Sequence, residues 1–191
     1  MASNFSARPI GTDGTDFMHR ERIASHYQIS ATNKWRLKVC IFIQFHLWVV
    51  LLLKCFEELL DLFEIDLPLV IDEAMEANIP DPLLWEYAWL LGAIPAVCGW
   101  MALPKNNRSL LLTFIAGTLF LGIVPVIAAA MYMASDLVEF YHTKKSRVII
   151  FGYPMVPMCF VFFAVATQVH CFGLYFAKQL LNAWDRQKKR Q

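Results

Sequence analysis

The stretch SLLLTFIAGTLFLGIVPVIAAAMYM, residues 109–133, has no charged side chain in 25 positions. A helix needs about 20 mainly apolar residues to cross the hydrocarbon core of a bilayer, so this segment is long enough to span one. Of the 191 residues in the chain, 58% are hydrophobic and 17% are charged. Soluble domains carry about 25% charged residues. The sequence therefore predicts an all-α membrane protein.

Three other apolar segments are candidate spans, at residues 35–56, 83–103 and 148–176. The first is the weakest, because it contains Gln44 and His46 and because Lys54 must reach the far interface. We predict a bundle of four transmembrane helices. A short amphipathic N-terminal helix, capped by Asp16 and lying on the cytosolic face, is expected to lead into the first span.

Prolines and small residues in the later spans predict how the bundle packs. The prolines expected to kink the second, third and fourth helices are Pro95, Pro125, Pro154 and Pro157. Gly92 and Ala96, four residues apart, are expected to allow a close contact between helices.

The chain ends with the residues KKRQ, which place Lys188 and Lys189 near a basic C-terminus behind an apolar segment. A dilysine at this position of a membrane protein resembles the coat-binding signal that returns proteins from the Golgi to the endoplasmic reticulum. Such a signal is read by a receptor and acts only in the cytosol. A solvated or phospholipid-binding basic tail is the alternative interpretation.

Lysine and arginine residues orient the bundle. Thirteen of them lie in or beside residues 1–34, 104–108 and 177–191, whereas three lie in residues 134–147 and none in residues 57–82. Because basic residues are enriched in cytosolic segments, the first three segments are predicted to be cytosolic and the last two lumenal. Both termini, and therefore the dilysine, then lie in the cytosol.

Two further features follow from this topology. The glycosylation patterns at Asn4 and Asn107 lie on the predicted cytosolic side, so both asparagines are expected to be unmodified. The lumenal segment 57–82 is acidic and is expected to be either a solvated face or a surface that binds a protein. It has no EF-hand pattern, and we predict no metal site and no cofactor.

The amide and imidazole side chains inside the predicted spans are Gln44 and His46 in the first helix, and Gln168 and His170 in the fourth. We predict that they form a hydrogen-bonded contact between these two helices. The alternative is a small membrane enzyme of lipid metabolism, in which His46, His170 and Glu86 would have to converge. The scattered cysteines are expected to be small packing residues, and no enzymatic activity and no nucleic-acid partner are predicted.

Several blocks of the sequence are similar to one known family in both residues and order. They are GTDGTDFMHRERIASHYQIS (11–30), WEYAWLL (85–91), PKNN (104–107), QVHCFGLYFAKQLL (168–181) and KKRQ (188–191). Together they resemble the Jagunal family over nearly the whole chain. The resemblance implies a four-span endoplasmic reticulum membrane protein with cytosolic termini.

The same resemblance implies a role in reticulum organisation and in vesicle traffic of the early secretory pathway. It gives Lys188 and Lys189 the COPI coat as a partner, and it transfers no catalytic residue. The lumenal segment from Cys55 to Leu84 is longer and more acidic than expected of vertebrate members. This departure leaves any lumenal partner open.

Overall fold

The computed structural model describes residues 15–63, 80–146, 148–150 and 152–188. The predictions that concern Asn4, Lys189 and most of the acidic segment lie outside these residues. Within the described part, four helical segments are long and apolar enough to cross a membrane. They are Tyr27–Lys54, Leu84–Lys105, Arg108–Tyr132 and Met155–Asp185. The predicted fold class, an all-α membrane bundle with four spans, is confirmed.

The first helix, α1, runs without interruption over Thr15–Lys54. The sequence predicted a separate amphipathic helix before the first span, but the two are one helix of 40 residues. No glycine or proline occurs within it, so nothing in the sequence breaks its backbone hydrogen bonds. A turn at Cys55 separates α1 from a short helix, α2, at Phe56–Leu62.

The second span consists of two helices, α3 at Leu84–Leu90 and α4 at Ala93–Lys105, separated by a turn at 91–92. Pro95 lies in the first turn of α4, where its missing N–H would have no helical partner in any case. After a left-handed residue, Asn106, the Asn107 side chain accepts hydrogen bonds from the backbone amides of Ser109 and Leu110 in the third span.

The third span begins as α5 at Arg108–Gly117, widens into a π-helical segment at Thr118–Ile123 and ends as α6 at Val124–Tyr132. Pro125 is the second residue after the π-helical segment. In a regular α-helix its ring would clash with the carbonyl of Leu121, so the local widening accommodates the proline.

Residues 134–154 differ from the prediction. The segment 134–147 was expected to be a loop, but Ala134–Thr143 forms a helix, α7, that ends at the left-handed residue Lys144. The fourth helix was expected to begin at residue 148, but a two-stranded hairpin precedes it. Strands β1 (Ile149–Ile150) and β2 (Tyr153–Pro154) are antiparallel, and α8 runs over Met155–Lys188. Pro154 therefore lies in a strand and kinks no helix, whereas Pro157 occupies the first turn of α8.

The helices pack around two groups of buried side chains. α1 lies along α8, and α4 lies along α5. One group, near the turn between α4 and α5, includes Leu37, Phe114 and Leu180, and the other, near the opposite end, includes Trp89 and Phe163. The outer surface carries large exposed apolar side chains throughout, as expected of a surface that faces lipid.

Candidate functional site: polar groups inside the bundle

A buried ion pair joins the first two spans. The Lys54 ammonium, in the last turn of α1, donates to both carboxylate oxygens of Glu86 at 2.5 and 2.6 Å. Glu86 lies in the first turn of α3, and its side chain is 2% exposed, whereas that of Lys54 is 18% exposed. A charge buried in apolar surroundings is stable only when it is paired, so the Glu86 carboxylate requires Lys54.

The sequence prediction missed this pair, because it assigned Lys54 to the far interface and considered Glu86 in the alternative of a lipid enzyme. Two signals were nevertheless present. The first span ends with one lysine and the second begins with one glutamate, and consecutive antiparallel spans place those two ends together.

Next to the pair, the Cys55 thiol lies 3.6 Å from a Glu86 oxygen, within hydrogen-bonding distance. Cys55 and Cys40 are buried, and all five cysteines of the chain are free thiols. Among the residues that the structure describes, no group of three His, Cys, Asp or Glu side chains could hold a metal ion.

Two side chains of α1 bind the break in the second span. Trp48 donates to the carbonyl of Leu90 at 2.8 Å, and Gln44 donates to that of Gly92 at 3.4 Å. The turn at 91–92 interrupts the helical hydrogen bonds of the span, and the Gly92 carbonyl also accepts from the Ala96 amide at 3.4 Å. A side chain on Gly92 would meet the backbone of Leu121, so the glycine also permits close approach of the third span.

The predicted contact between the Gln-x-His pairs of the first and fourth helices is wrong. Gln44 binds the second span, and His46 is exposed with its Nδ1 2.9 Å from the Phe42 carbonyl of its own helix. Gln168 is exposed, whereas His170 is buried. Residues two apart on a helix point in nearly opposite directions, so both members of such a pair cannot face one neighbour.

His170 lies in the centre of the bundle beside the π-helical segment. It is 2% exposed, and its ring packs edge-on against Trp89 with 5.9 Å between centroids. A side chain on Gly122 would come within 2.9 Å of the imidazole. Within the described residues, neither ring nitrogen has a hydrogen-bond partner, and the same is true of the Thr118 hydroxyl and the Trp89 indole N–H.

This geometry does not favour the alternative of a lipid enzyme. That reading required Glu86, His46 and His170 to share a site. Instead, Glu86 is bound to Lys54, His46 lies on the outer surface and His170 is enclosed by packed side chains. The three groups present no common surface to a substrate.

Basic side chains of α1 lie over aromatic rings at the end of the bundle predicted to be cytosolic. The pairs are Lys34 over Trp184, Arg36 over Phe176 and Lys38 over Trp100, at 6.0, 5.6 and 5.8 Å from the ring centroids. These are distances at which a cation is attracted to the ring face. They hold α1 to α8 and to α4 at this end.

The end of α8 is fixed at the same place. Trp184 is buried, and Asp185 accepts a hydrogen bond from Arg108 at 2.6 Å, which links α8 to the start of α5. Beyond this contact, α8 continues as a helix to Lys188. The side chain of Lys188 and the whole of Lys189 lie outside the described part, so the dilysine prediction is untested.

Comparison with known proteins decides the family. The model of one family, described as "Jagunal, ER re-organisation during oogenesis", matches residues 1–188. The chain belongs to the Jagunal family. The predicted resemblance is thereby confirmed.

Individual Jagunal proteins match over nearly their full length. Protein jagunal homolog 1 of Mus musculus is 36% identical, and the alignment covers 100% of both chains. Protein jagunal of Drosophila melanogaster is 37% identical over 96% of this chain and 95% of its own. Protein jagunal homolog of Caenorhabditis elegans is 33% identical over 98% and 99%.

Family membership and the four candidate spans together indicate a membrane protein of the endoplasmic reticulum. The family description concerns organisation of the reticulum rather than a reaction, which fits the prediction that the chain is not an enzyme.

Proposed function

We propose that this Jagunal-family chain is a non-enzymatic protein of reticulum organisation and of vesicle transport in the early secretory pathway. Its termini lie in the cytosol, and it is retained in or returned to the reticulum when the COPI coat binds Lys188 and Lys189. The observation that carries this proposal is the fixed end of α8, where Trp184 and Asp185 are anchored directly before the dilysine.

The charge distribution of the bundle supports the orientation. Lys34, Arg36 and Lys38 of α1 lie at the same end as Arg108, close to the point where α8 leaves its last contacts. At the other end of the first two spans, Lys54 is paired with Glu86. Basic residues gathered at one end favour the cytosolic side for that end.

The length of the tail supports recognition at the membrane surface. Lys188 lies three residues after Asp185 on the same helix, which corresponds to about 4.5 Å of helix axis at 1.5 Å per residue. In this proposal the dilysine lies beside the bilayer, and the helix that is packed against the bundle continues to Lys188. A coat protein assembled on the membrane could bind it without first ordering a long linker.

The test compares two double variants of the full-length chain in cells. Lys188→Ser with Lys189→Ser removes the dilysine. Arg186→Ser with Arg190→Ser removes the same amount of positive charge from the tail but leaves the dilysine in place. Retrieval predicts that only the first variant moves from the reticulum to the Golgi, and that only its tail loses binding to purified coat subunits. Equal redistribution of both variants would indicate a general basic tail, and no redistribution of either would reject the retrieval role.

A further inference from the structure

Helix α7 and the start of α8 enclose an apolar groove that no part of the proposed function uses. Its volume is about 500 Å³, and it is lined mainly by Leu137, Val138, Tyr141 and Pro157. Lipid-sized and drug-sized ligands occupy pockets of about 300–1,000 Å³, so the groove is large enough for part of a lipid. α7 has no buried residue, and Val138 and Tyr141 are 57% and 70% exposed.

The groove lies at the level where two spans end. α7 follows directly after the third span, which ends at Tyr132, and Pro157 is in the first turn of the fourth. Tyr132, Tyr141 and Tyr153 are each at least 66% exposed in this region. Exposed tyrosines are typical of the interface between hydrocarbon and headgroups, which places the groove beside the headgroups of one leaflet.

The positively charged side chain of Lys144 borders the groove. Lys144 follows the end of α7 in a left-handed conformation, and its ammonium lies 4.7 Å from the centre of the Tyr141 ring. No ion pair of Lys144 occurs within the described residues, and the two acidic residues of α7, Asp136 and Glu139, line a different cavity. The groove therefore combines apolar walls with a positive charge that a ligand could neutralise.

We propose that this groove binds an anionic phospholipid, with one acyl chain between α7 and Pro157 and the phosphate beside Lys144. Charge complementarity selects this occupant over a protein helix, since an apolar helix would leave Lys144 without a counter-ion. The positive charge of Lys144 at the groove favours a headgroup of net negative charge over a zwitterionic one.

The test uses full-length protein, delipidated in detergent and titrated with dioleoyl phosphatidylserine or dioleoyl phosphatidylcholine under native mass spectrometry. Val138→Trp fills the groove and Lys144→Gln removes its charge. The matched controls are Val161→Trp on the exposed face of α8 and Lys105→Gln at the opposite end, and thermal unfolding verifies that each variant is folded. Glycerophosphoserine has the headgroup without acyl chains, so it tests whether binding requires an acyl chain in the groove.

The proposal expects tight binding of one phosphatidylserine, weaker binding of phosphatidylcholine and none of glycerophosphoserine. Lys144→Gln should weaken phosphatidylserine binding about fivefold, as expected for one basic residue near anionic lipid. Val138→Trp should abolish it, and both controls should leave it unchanged. Equal losses for Lys144→Gln and Lys105→Gln would overturn the site in favour of diffuse surface charge. Retained lipid with a dimer lost in Val138→Trp would instead assign the groove to a second copy of the chain.

Discussion

The ammonium of Lys54 lies 2.5 and 2.6 Å from the two carboxylate oxygens of Glu86, at the point where the first span ends and the second begins. The two residues differ in access to water, because the lysine is 18% exposed and the glutamate 2%. The long alkyl chain of lysine can carry its charge towards the interface, whereas the glutamate has no such path. Loss of the lysine therefore leaves the glutamate charge buried and unpaired, whereas loss of the glutamate leaves a lysine charge that can reach water.

This asymmetry predicts unequal effects of the two single substitutions. Lys54→Met should lower the free energy of unfolding by about 3–5 kcal/mol, since it leaves a buried carboxylate without a partner. Glu86→Leu should cost less, because Lys54 can reorient towards water. The double variant should recover most of the loss, since replacing both charges by apolar groups of similar size is often neutral. Denaturant unfolding in a defined detergent, analysed as a double-mutant cycle, measures all three values.

The ion pair of Arg108 with Asp185 is the matched control. It has a similar distance of 2.6 Å, but its side chains are 55% and 34% exposed. Exposed pairs contribute about 0–1 kcal/mol, so Arg108→Met should have a small effect. If Arg108→Met and Lys54→Met destabilised the protein equally, burial would not be the reason that the Lys54–Glu86 pair matters.

Two glycines inside the bundle are predicted to differ in how substitution by alanine changes the stability of the protein. Gly122→Ala would place a methyl group 2.9 Å from the His170 ring, and overpacking of this kind costs about 1–3 kcal/mol. In Gly173→Ala, the nearest side-chain atom is 3.6 Å away, and alanine gains about 1 kcal/mol of helix propensity over glycine. Thermal unfolding should therefore show a lower Tm for Gly122→Ala and an unchanged or higher Tm for Gly173→Ala. A fall of the same size in both would contradict the close contact at Gly122.

The sequence was sufficient for the four spans because each depends only on a local run of apolar residues. It was not sufficient for the partners of Lys54 and Gln44, which depend on which helices pack together and at what height. The segment 134–147 was taken for a loop because it is charged, yet Leu137, Phe140 and Tyr141 recur at the helical spacing of three and four residues. That spacing was the available signal for α7.

The imidazole of His170, which has no hydrogen-bond partner among the residues that the structure describes, leads to a third prediction. A buried polar group without a hydrogen bond costs about 1–3 kcal/mol, so His170→Leu should raise the free energy of unfolding by a comparable amount. Thr113→Val is the control, because the Thr113 hydroxyl is exposed and bonds to the Ser109 carbonyl of its own helix. It should change stability by less than about 0.5 kcal/mol. A loss of stability in His170→Leu would mean that the imidazole has a partner such as a buried water.

Glycosylation tests the proposed orientation of the bundle. Asn4 and Asn107 match the acceptor pattern on the side predicted to be cytosolic, so the wild-type protein should carry no N-linked glycan. Pro80→Thr completes the pattern Asn78-Ile79-Thr in the segment predicted to be lumenal, and this variant should gain a glycan that endoglycosidase treatment removes. Pro80→Ala also removes the proline but does not complete the glycosylation pattern, so this variant should remain unmodified. A glycan on the wild-type protein at Asn107 would place the turn between the second and third spans in the lumen. It would invert the bundle and remove the dilysine from the side on which a coat could bind it.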